Sequence, residues 1–203
     1  MKLYKLPRIV LSILFLSTLL QPAIAQIQSV DSILYDFYHR PERVLVAAHR
    51  SAHLVHPENS LVAIKHAIAI GADIIEVDVR KTKDGVYVVL HDKTINRTTA
   101  SKGEVNSYTY DQLKKIPLLQ NGQPTSERIP TFESALRAAK GHIMVDIDFK
   151  LDSKEDAINV CNIIRKVGVQ KQVLFFLYDY HYTSTLDSID HSIRVMPRAY
   201  SKE

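Results

Sequence analysis

Four of six short β-prone segments in this chain are nearly continuous runs of apolar residues that turn polar at their C-terminal end. Such runs are typical of strands buried on both faces of a parallel sheet, and this pattern constrains the fold more than any other feature. Helical periodicity fills several of the gaps between the segments. The sequence therefore predicts an α/β fold, with strands at residues 44–50, 73–80, 86–92, 143–150, 173–178 and 193–199.

The predicted helices carry terminal signals. Gly71 closes a helical pattern as a C-cap, and Thr131 is a good N-cap for the pattern that follows it. In the segment 153–168, helical spacing places Cys161 on one face with Ala157, Val160 and Ile164. We therefore predict that Cys161, the single cysteine, is a core residue, and a single cysteine excludes an intramolecular disulfide framework.

Two stretches depart from simple β–α alternation. Residues 80–85 are too short for a crossover helix, and Asp84-Gly85 is a turn signal. The chain either folds back there as a hairpin or returns to start a parallel strand. Residues 93–128 are polar and interrupted by glycine and proline, and they are predicted to be an insertion on the catalytic side.

The first 25 residues have the pattern of a signal peptide: a basic start, twelve apolar residues and the small-residue site Ala23-Ile24-Ala25. Twelve residues are too few for a membrane span, which favours cleavage over a retained signal anchor. We therefore predict an exported protein, periplasmic or secreted, with one domain over residues 26–203. The leader holds three of the 26 basic residues, so 23 remain against 22 acidic ones and nucleic-acid binding is not expected.

Ionisable residues cluster at or near the C-terminal ends of the predicted strands, where α/β barrels place their active sites. Alternation along a strand places Glu76 and Asp78 on one face, and it does the same for Asp146, Asp148 and Lys150. Exposure on an edge strand is the alternative for Glu76 and Asp78. Strand ends also supply His49, Arg50, His91 and Asp92. Burying this many ionisable groups without a ligand would be costly, which favours a functional site.

Several motifs follow one another between residues 44 and 150: AHR (48–50), PENS (57–60), GADIIEVDVRKTKDGVYVVLHD (71–92), NRTT (96–99), IPTFESAL (129–136) and DIDFK (146–150). In this order and spacing they make residues 44–150 resemble the glycerophosphodiester phosphodiesterase family. The resemblance implies a TIM-type (β/α) barrel, one divalent cation, and hydrolysis of glycerophosphodiesters to an alcohol and glycerol 3-phosphate.

The resemblance also implies roles for individual residues. Glu76, Asp78 and Asp148 match the metal ligands, and hard oxygen ligands suit Mg²⁺ or Ca²⁺ better than Zn²⁺. His49 and His91 match the acid–base pair, whereas Arg50 and Lys150 match the cations that hold the phosphate.

Two positions depart from the family pattern. Ser51 replaces the usual glycine and is expected to restrict the backbone near the phosphate. Asp148 replaces the usual Glu and is one methylene shorter, so the metal must shift or a water must fill the gap.

Two other functions stay open at this stage. One is phospholipase-D-like action on lysolipids with the same catalytic set, and the other is a non-catalytic truncated barrel that binds phosphodiesters. The partner in the leading interpretation is a small-molecule glycerophosphodiester, with no membrane span remaining after cleavage of the leader.

A complete (β/α)8 barrel typically needs about 250 residues, and six predicted strands leave the last two unaccounted for. Unpaired edge strands favour association. We therefore expect residues 26–203 to be a fragment of a longer protein or to self-associate through the open barrel edges. Sizing chromatography with a thermal melt tests this, and a cooperative, monomeric, fully active chain would contradict it.

Overall fold

The computed structural model describes residues 29–198, so the predicted signal peptide lies outside the described residues. The helices are α1 (Val30–His39), α2 (Leu61–Ala69), α3 (Tyr110–Leu113), α4 (Phe132–Ala139), α5 (Lys154–Val167) and α6 (Thr183–Ile189). The strands are β1 (Ala47–Ala48), β2 (Ile74–Lys81), β3 (Tyr87–Val89), β4 (Pro117–Gln120), β5 (Gln123–Arg128), β6 (Met144–Phe149), β7 (Val173–Leu177) and β8 (Arg194–Pro197). Within the described residues, no helix is both long enough and apolar enough to cross a bilayer.

Five of these strands form a parallel sheet in the order β1-β2-β6-β7-β8, with each strand beside the parallel strand before it in the chain. This order, with helices packed on one face, is an arc of a (β/α) barrel. All six predicted strands are present, and five of them form this parallel sheet. β3 pairs with β2 in the antiparallel direction, because the turn at Asp84-Gly85 is a hairpin, the first of the two alternatives.

The two faces of the arc bury different side chains. Residues at alternate positions of β2, β6 and β7, such as Val77, Ile147 and Phe175, pack with α2, α4 and α5 in the main core. Cys161 lies in this core and is fully buried, as predicted. The opposite face points toward the barrel axis and carries the ionisable residues considered below.

Helix termini follow local sequence signals. The Thr131 hydroxyl accepts a hydrogen bond from the Ser134 amide at 3.1 Å, which confirms the predicted N-cap of α4. The C-cap of α2 is Ile70, one residue before the predicted Gly71, which itself has a φ of +77°.

The predicted insertion, residues 93–128, contains α3 and the antiparallel hairpin β4–β5. It has a small core of its own, in which Ile95, Leu113 and Leu118 pack against Leu90 and Ile129 at its flanks.

The floor of the arc is closed by α1, which was not predicted. Val30 and Ile33 pack with the inward-facing Ile74, Met144 and Leu174 at the start of the parallel strands. The first strand was predicted over 44–50 but is short, since the backbone amide of Val46 donates to the Asp73 carboxylate at 2.9 Å.

Because Ile33 is fully buried in this floor, we expect Ile33→Ala to lower the free energy of unfolding by about 2–5 kcal/mol. Ile70→Ala is the matched control, since Ile70 is 61% exposed and its truncation should change stability by less than about 0.5 kcal/mol. Denaturant unfolding of both variants measures the difference. Equal effects would show that α1 does not close the floor.

Candidate functional site

The candidate site is built on two neighbouring strands. β2 and β6 pair in a register that sets Glu76 beside Asp146 and Asp78 beside Asp148. All four carboxylates lie on the axial face, above the apolar floor formed by Ile74 and its neighbours. β2 lies inside the sheet and Asp78 is fully buried, which excludes the edge-strand alternative.

The predicted metal ligands Glu76, Asp78 and Asp148 converge. Each offers a carboxylate oxygen, and these three oxygens lie within 4.8 Å of one another. Asp78 Oδ1 and Asp148 Oδ1 are buried and accept no hydrogen bond from the described residues. Buried acceptors without hydrogen bonds are costly. The Lys150 ammonium, 3.3 Å from Asp78 Oδ1, offsets part of this cost, and a divalent cation would supply the missing partner. The donor set therefore fits Mg²⁺ or Ca²⁺.

The carboxylates oppose one another's ionisation. Burial and, after it, the charge of Asp78 raise the pKa of Glu76 to about 7. Burial also raises the pKa of Asp146 to about 6, with the Asp148 charge adding to the effect. Both shifts favour a cation at this place, since positive charge would offset the repulsion.

The second oxygen of each predicted ligand is held by the protein. The Arg50 backbone amide donates to Glu76 Oε2 at 2.7 Å, and Asn59 Nδ2 donates to Asp78 Oδ2 at 2.9 Å. Lys150 donates to Asp148 Oδ2, and its ammonium lies 3.3 Å from Asp78 Oδ1. One oxygen of each carboxylate is thereby fixed by a hydrogen bond, and for Asp78 the other oxygen also faces the Lys150 ammonium.

Sequence reasoning gave no role to Asn59 or Tyr178. The Tyr178 hydroxyl lies 3.3 Å from both Asp148 Oδ2 and Lys150 Nζ. The available signals were the position of Asn59 inside the PENS motif and that of Tyr178 as the first polar residue after an apolar strand.

The two predicted acid–base histidines follow different strands. His49 follows β1, and its Nε2 lies 4.0 Å from Glu76 Oε2 while 65% of the side chain is exposed. His91 follows the antiparallel β3. Because the Leu90 amide donates to the Asp78 carbonyl, the returning strand brings His91 back to the level of Asp78.

Of the two predicted phosphate-holding cations, Lys150 lies against the cluster, whereas the Arg50 guanidinium contacts Glu58. Arg50 is next to His49, and Lys150 contacts Asp148 and Asp78. Burial alone would lower the pKa of Lys150, but the hydrogen bond and charge of Asp148 raise it, so the ammonium stays protonated.

The turn at Ser51, where the family pattern usually has glycine, is left-handed. Arg50 and Ser51 have φ of +49° and +62°, and Ser51 is buried with a hydroxyl that has no hydrogen-bond partner among the described residues. A non-glycine residue in this left-handed region costs about 1–3 kcal/mol. The strained turn directs two successive amides at Glu76, one at its carboxylate and one at its carbonyl oxygen.

Carboxylates, cations and histidines at the C-terminal side of a barrel arc are typical of the active sites of α/β-barrel enzymes, and this is the class of protein that the fold and the site indicate. The Glycerophosphoryl diester phosphodiesterase family model matches residues 49–195, and the chain belongs to this family.

Individual relatives agree with this family. The chain is 33% identical over 142 residues to a glycerophosphodiester phosphodiesterase of Caldanaerobacter subterraneus, covering 69% of this chain and 55% of the relative. It is 32% identical over 139 residues to glycerophosphodiester phosphodiesterase 1 of Bos taurus, covering 66% and 41%. A crystal structure of a glycerophosphoryl diester phosphodiesterase from Parabacteroides distasonis superposes with a TM-score of 0.72 at 27% identity, covering 85% of this chain and 60% of that one. The chain thus spans about half the length of the curated relatives it matches.

The raised pKa of Glu76 makes cation binding dependent on pH, since a carboxyl group must lose its proton to bind a metal. With a pKa of about 7, the protonated form dominates at pH 5.5 and the ionised form at pH 8. We expect the affinity for Ca²⁺ or Mg²⁺ to be more than about tenfold weaker at pH 5.5 than at pH 8. Titration calorimetry at both pH values measures the cation affinity. The control is Glu76→Gln, whose side chain has no titrating proton. An affinity that stays constant between the two pH values would contradict the assignment.

Proposed function

We propose that this chain hydrolyses glycerophosphodiesters to an alcohol and glycerol 3-phosphate with the help of one divalent cation, Mg²⁺ or Ca²⁺. The observation that carries the proposal is the convergence of Glu76, Asp78 and Asp148, with oxygens within 4.8 Å, beside the Lys150 ammonium. Membership of the phosphodiesterase family supports it.

Each residue has a place in the proposed reaction. Glu76, Asp78 and Asp148 would hold the cation, which when bound supplies positive charge against the phosphoryl oxygens. Arg50 and Lys150 bind and orient the phosphodiester. His49 and His91 divide the proton transfers, one taking a proton from the nucleophile and the other giving one to the leaving alkoxide.

His91 is prepared for such a transfer through its Nε2 atom. Its Nδ1 lies 2.7 Å from Asp92 Oδ1. The hydrogen bond of Arg97 and the nearby charges hold the pKa of Asp92 at about 2, so this carboxylate only accepts hydrogen bonds. Nδ1 therefore carries the proton and Nε2 is the nitrogen that exchanges one.

Action on lysolipids is the second candidate function. It is favoured by the loop after β1, in which Leu54 and Val55 are 88% and 61% exposed a few residues from His49. Exposed apolar side chains beside a polar site would suit a substrate with an acyl chain.

We also propose that the protein is exported after cleavage near Ala25, because a signal-like leader precedes the domain.

The direct test is hydrolysis of glycerophosphocholine and of lysophosphatidylcholine by residues 26–203. We expect activity with added Mg²⁺ or Ca²⁺ and none in EDTA. His49→Ala and His91→Ala should each lower kcat by about 10²–10⁴-fold with little loss of stability.

The exposed His191 provides the matched control, and His191→Ala should leave kcat within about twofold of the parent. Full turnover in EDTA would contradict the proposed requirement for a divalent cation. Preference for the micellar lysolipid would favour the second candidate. Binding of glycerophosphocholine without turnover would favour the non-catalytic alternative.

A further inference from the structure

A guanidinium group joins the two loops that carry the proposed catalytic residues. Arg97 lies in the loop that follows His91, within the predicted insertion. Its Nη1 and Nη2 donate to the two oxygens of Glu58 at 2.6 and 2.7 Å, and its Nε donates to Asp92 Oδ2 at 2.7 Å. Glu58 belongs to the other loop, 39 residues earlier in the chain.

On the Glu58 side, this contact leads to Arg50. Nη1 of Arg50 lies 3.4 Å from both oxygens of Glu58. Burial by itself would raise the pKa of Glu58, but the hydrogen bonds and charges of Arg97 and Arg50 lower it. Glu58 is thus an ionised carboxylate shared by one proposed phosphate-binding arginine and by Arg97.

On the Asp92 side, the contact leads to His91. Asp92 uses Oδ2 for Arg97 and Oδ1 for His91 Nδ1, with both distances at 2.7 Å. The carbonyl oxygen of His91 is held separately, by the guanidinium of Arg80 at 2.9 and 2.7 Å. The backbone of His91 is therefore fixed by Arg80, whereas its ring is oriented through Asp92.

We propose that Arg97 is a positioning residue that holds the Arg50 loop and the His91 ring in one fixed geometry through Glu58 and Asp92. The chain of contacts runs Arg50, Glu58, Arg97, Asp92, His91, and cations and carboxylates alternate along it as far as Asp92. The inference rests on the proposed phosphodiesterase function, because it assigns Arg97 to the reaction of that same site.

The geometry of the contact requires arginine. A guanidinium presents N–H donors in a planar fork, so it engages both oxygens of Glu58 and one of Asp92 at the same time. A lysine ammonium has the same charge but no such fork. The side chain of Arg97 is 47% exposed, and exposed ion pairs add little to folding stability. The consequence of losing it should therefore appear in catalysis rather than in folding.

The test compares Arg97→Ala and Arg97→Lys with a matched control. We expect both variants to lower kcat/KM by roughly 10- to 100-fold, because a small misplacement of reacting groups has effects of this size. Both kcat and KM should change, since the His91 ring and the Arg50 loop are both released. Arg137 pairs with Glu133 on the outer helix α4 at 2.7 Å, and Arg137→Lys should change neither constant.

A second readout does not depend on turnover. Nitrogen-15 NMR of the histidine rings should show His91 protonated at Nδ1 in the parent and as a mixture of tautomers in Arg97→Ala. An inactive parent with this tautomer change would reject the proposed function but keep the positioning role. Unchanged kinetics and tautomer in both variants would overturn the inference, as would recovery of full activity by Arg97→Lys. Loss of folding in both variants would show that Arg97 is structural and would also overturn it.

Discussion

The register between β2 and β6 is the constraint on which the rest of the site depends. It sets four carboxylates side by side on the axial face, where burial raises the pKa of Glu76 to about 7 and that of Asp146 to about 6. Such a cluster is tolerated only where donors or cations are directed at it. A shift of one residue would turn the carboxylates into the helix-covered core. The register therefore determines whether the carboxylates face the barrel axis and form the candidate site.

The surrounding backbone is shaped by this cluster. Arg50 and Ser51 adopt left-handed conformations that a glycine would adopt more readily, and their amides thereby reach Glu76. The hairpin β2–β3 likewise determines the position of a predicted site residue, His91. A parallel return would have required a crossover of a dozen or more residues, whereas the antiparallel return brings His91 to the level of Asp78 directly.

The predictable part of the structure is the part that local patterns encode. Period-2 alternation correctly placed Glu76 and Asp78 on one face, and helical spacing correctly placed Cys161 in the core. The direction of β3 stayed open because a strand's composition does not determine which neighbour it pairs with. The first strand was predicted too long, since Val46 is anchored to the Asp73 carboxylate at its N-terminal end.

The missed residues share one property: their partners are distant in sequence. Asn59 reaches Asp78, Tyr178 reaches Asp148, and Arg97 reaches Glu58 across 39 residues. Each is an ordinary polar loop residue when read alone. Periodicity does not encode such contacts, which only the packing of the loops at the strand ends brings about.

The site and the open edges of the arc are separate features of the fold. Within residues 29–198, β1 pairs only with β2 and β8 only with β7, and Val44 and Val46 are exposed beside β1. The proposed ligands come from β2 and β6, which have a parallel neighbour on both sides. Site geometry can therefore persist where edge stability is low. A cation bound only by the folded state at 100 times its Kd would add about 2.7 kcal/mol of stability. In an arc with two unpaired edges, the carboxylates that cost stability when ionised side by side would then become part of what holds the strands together.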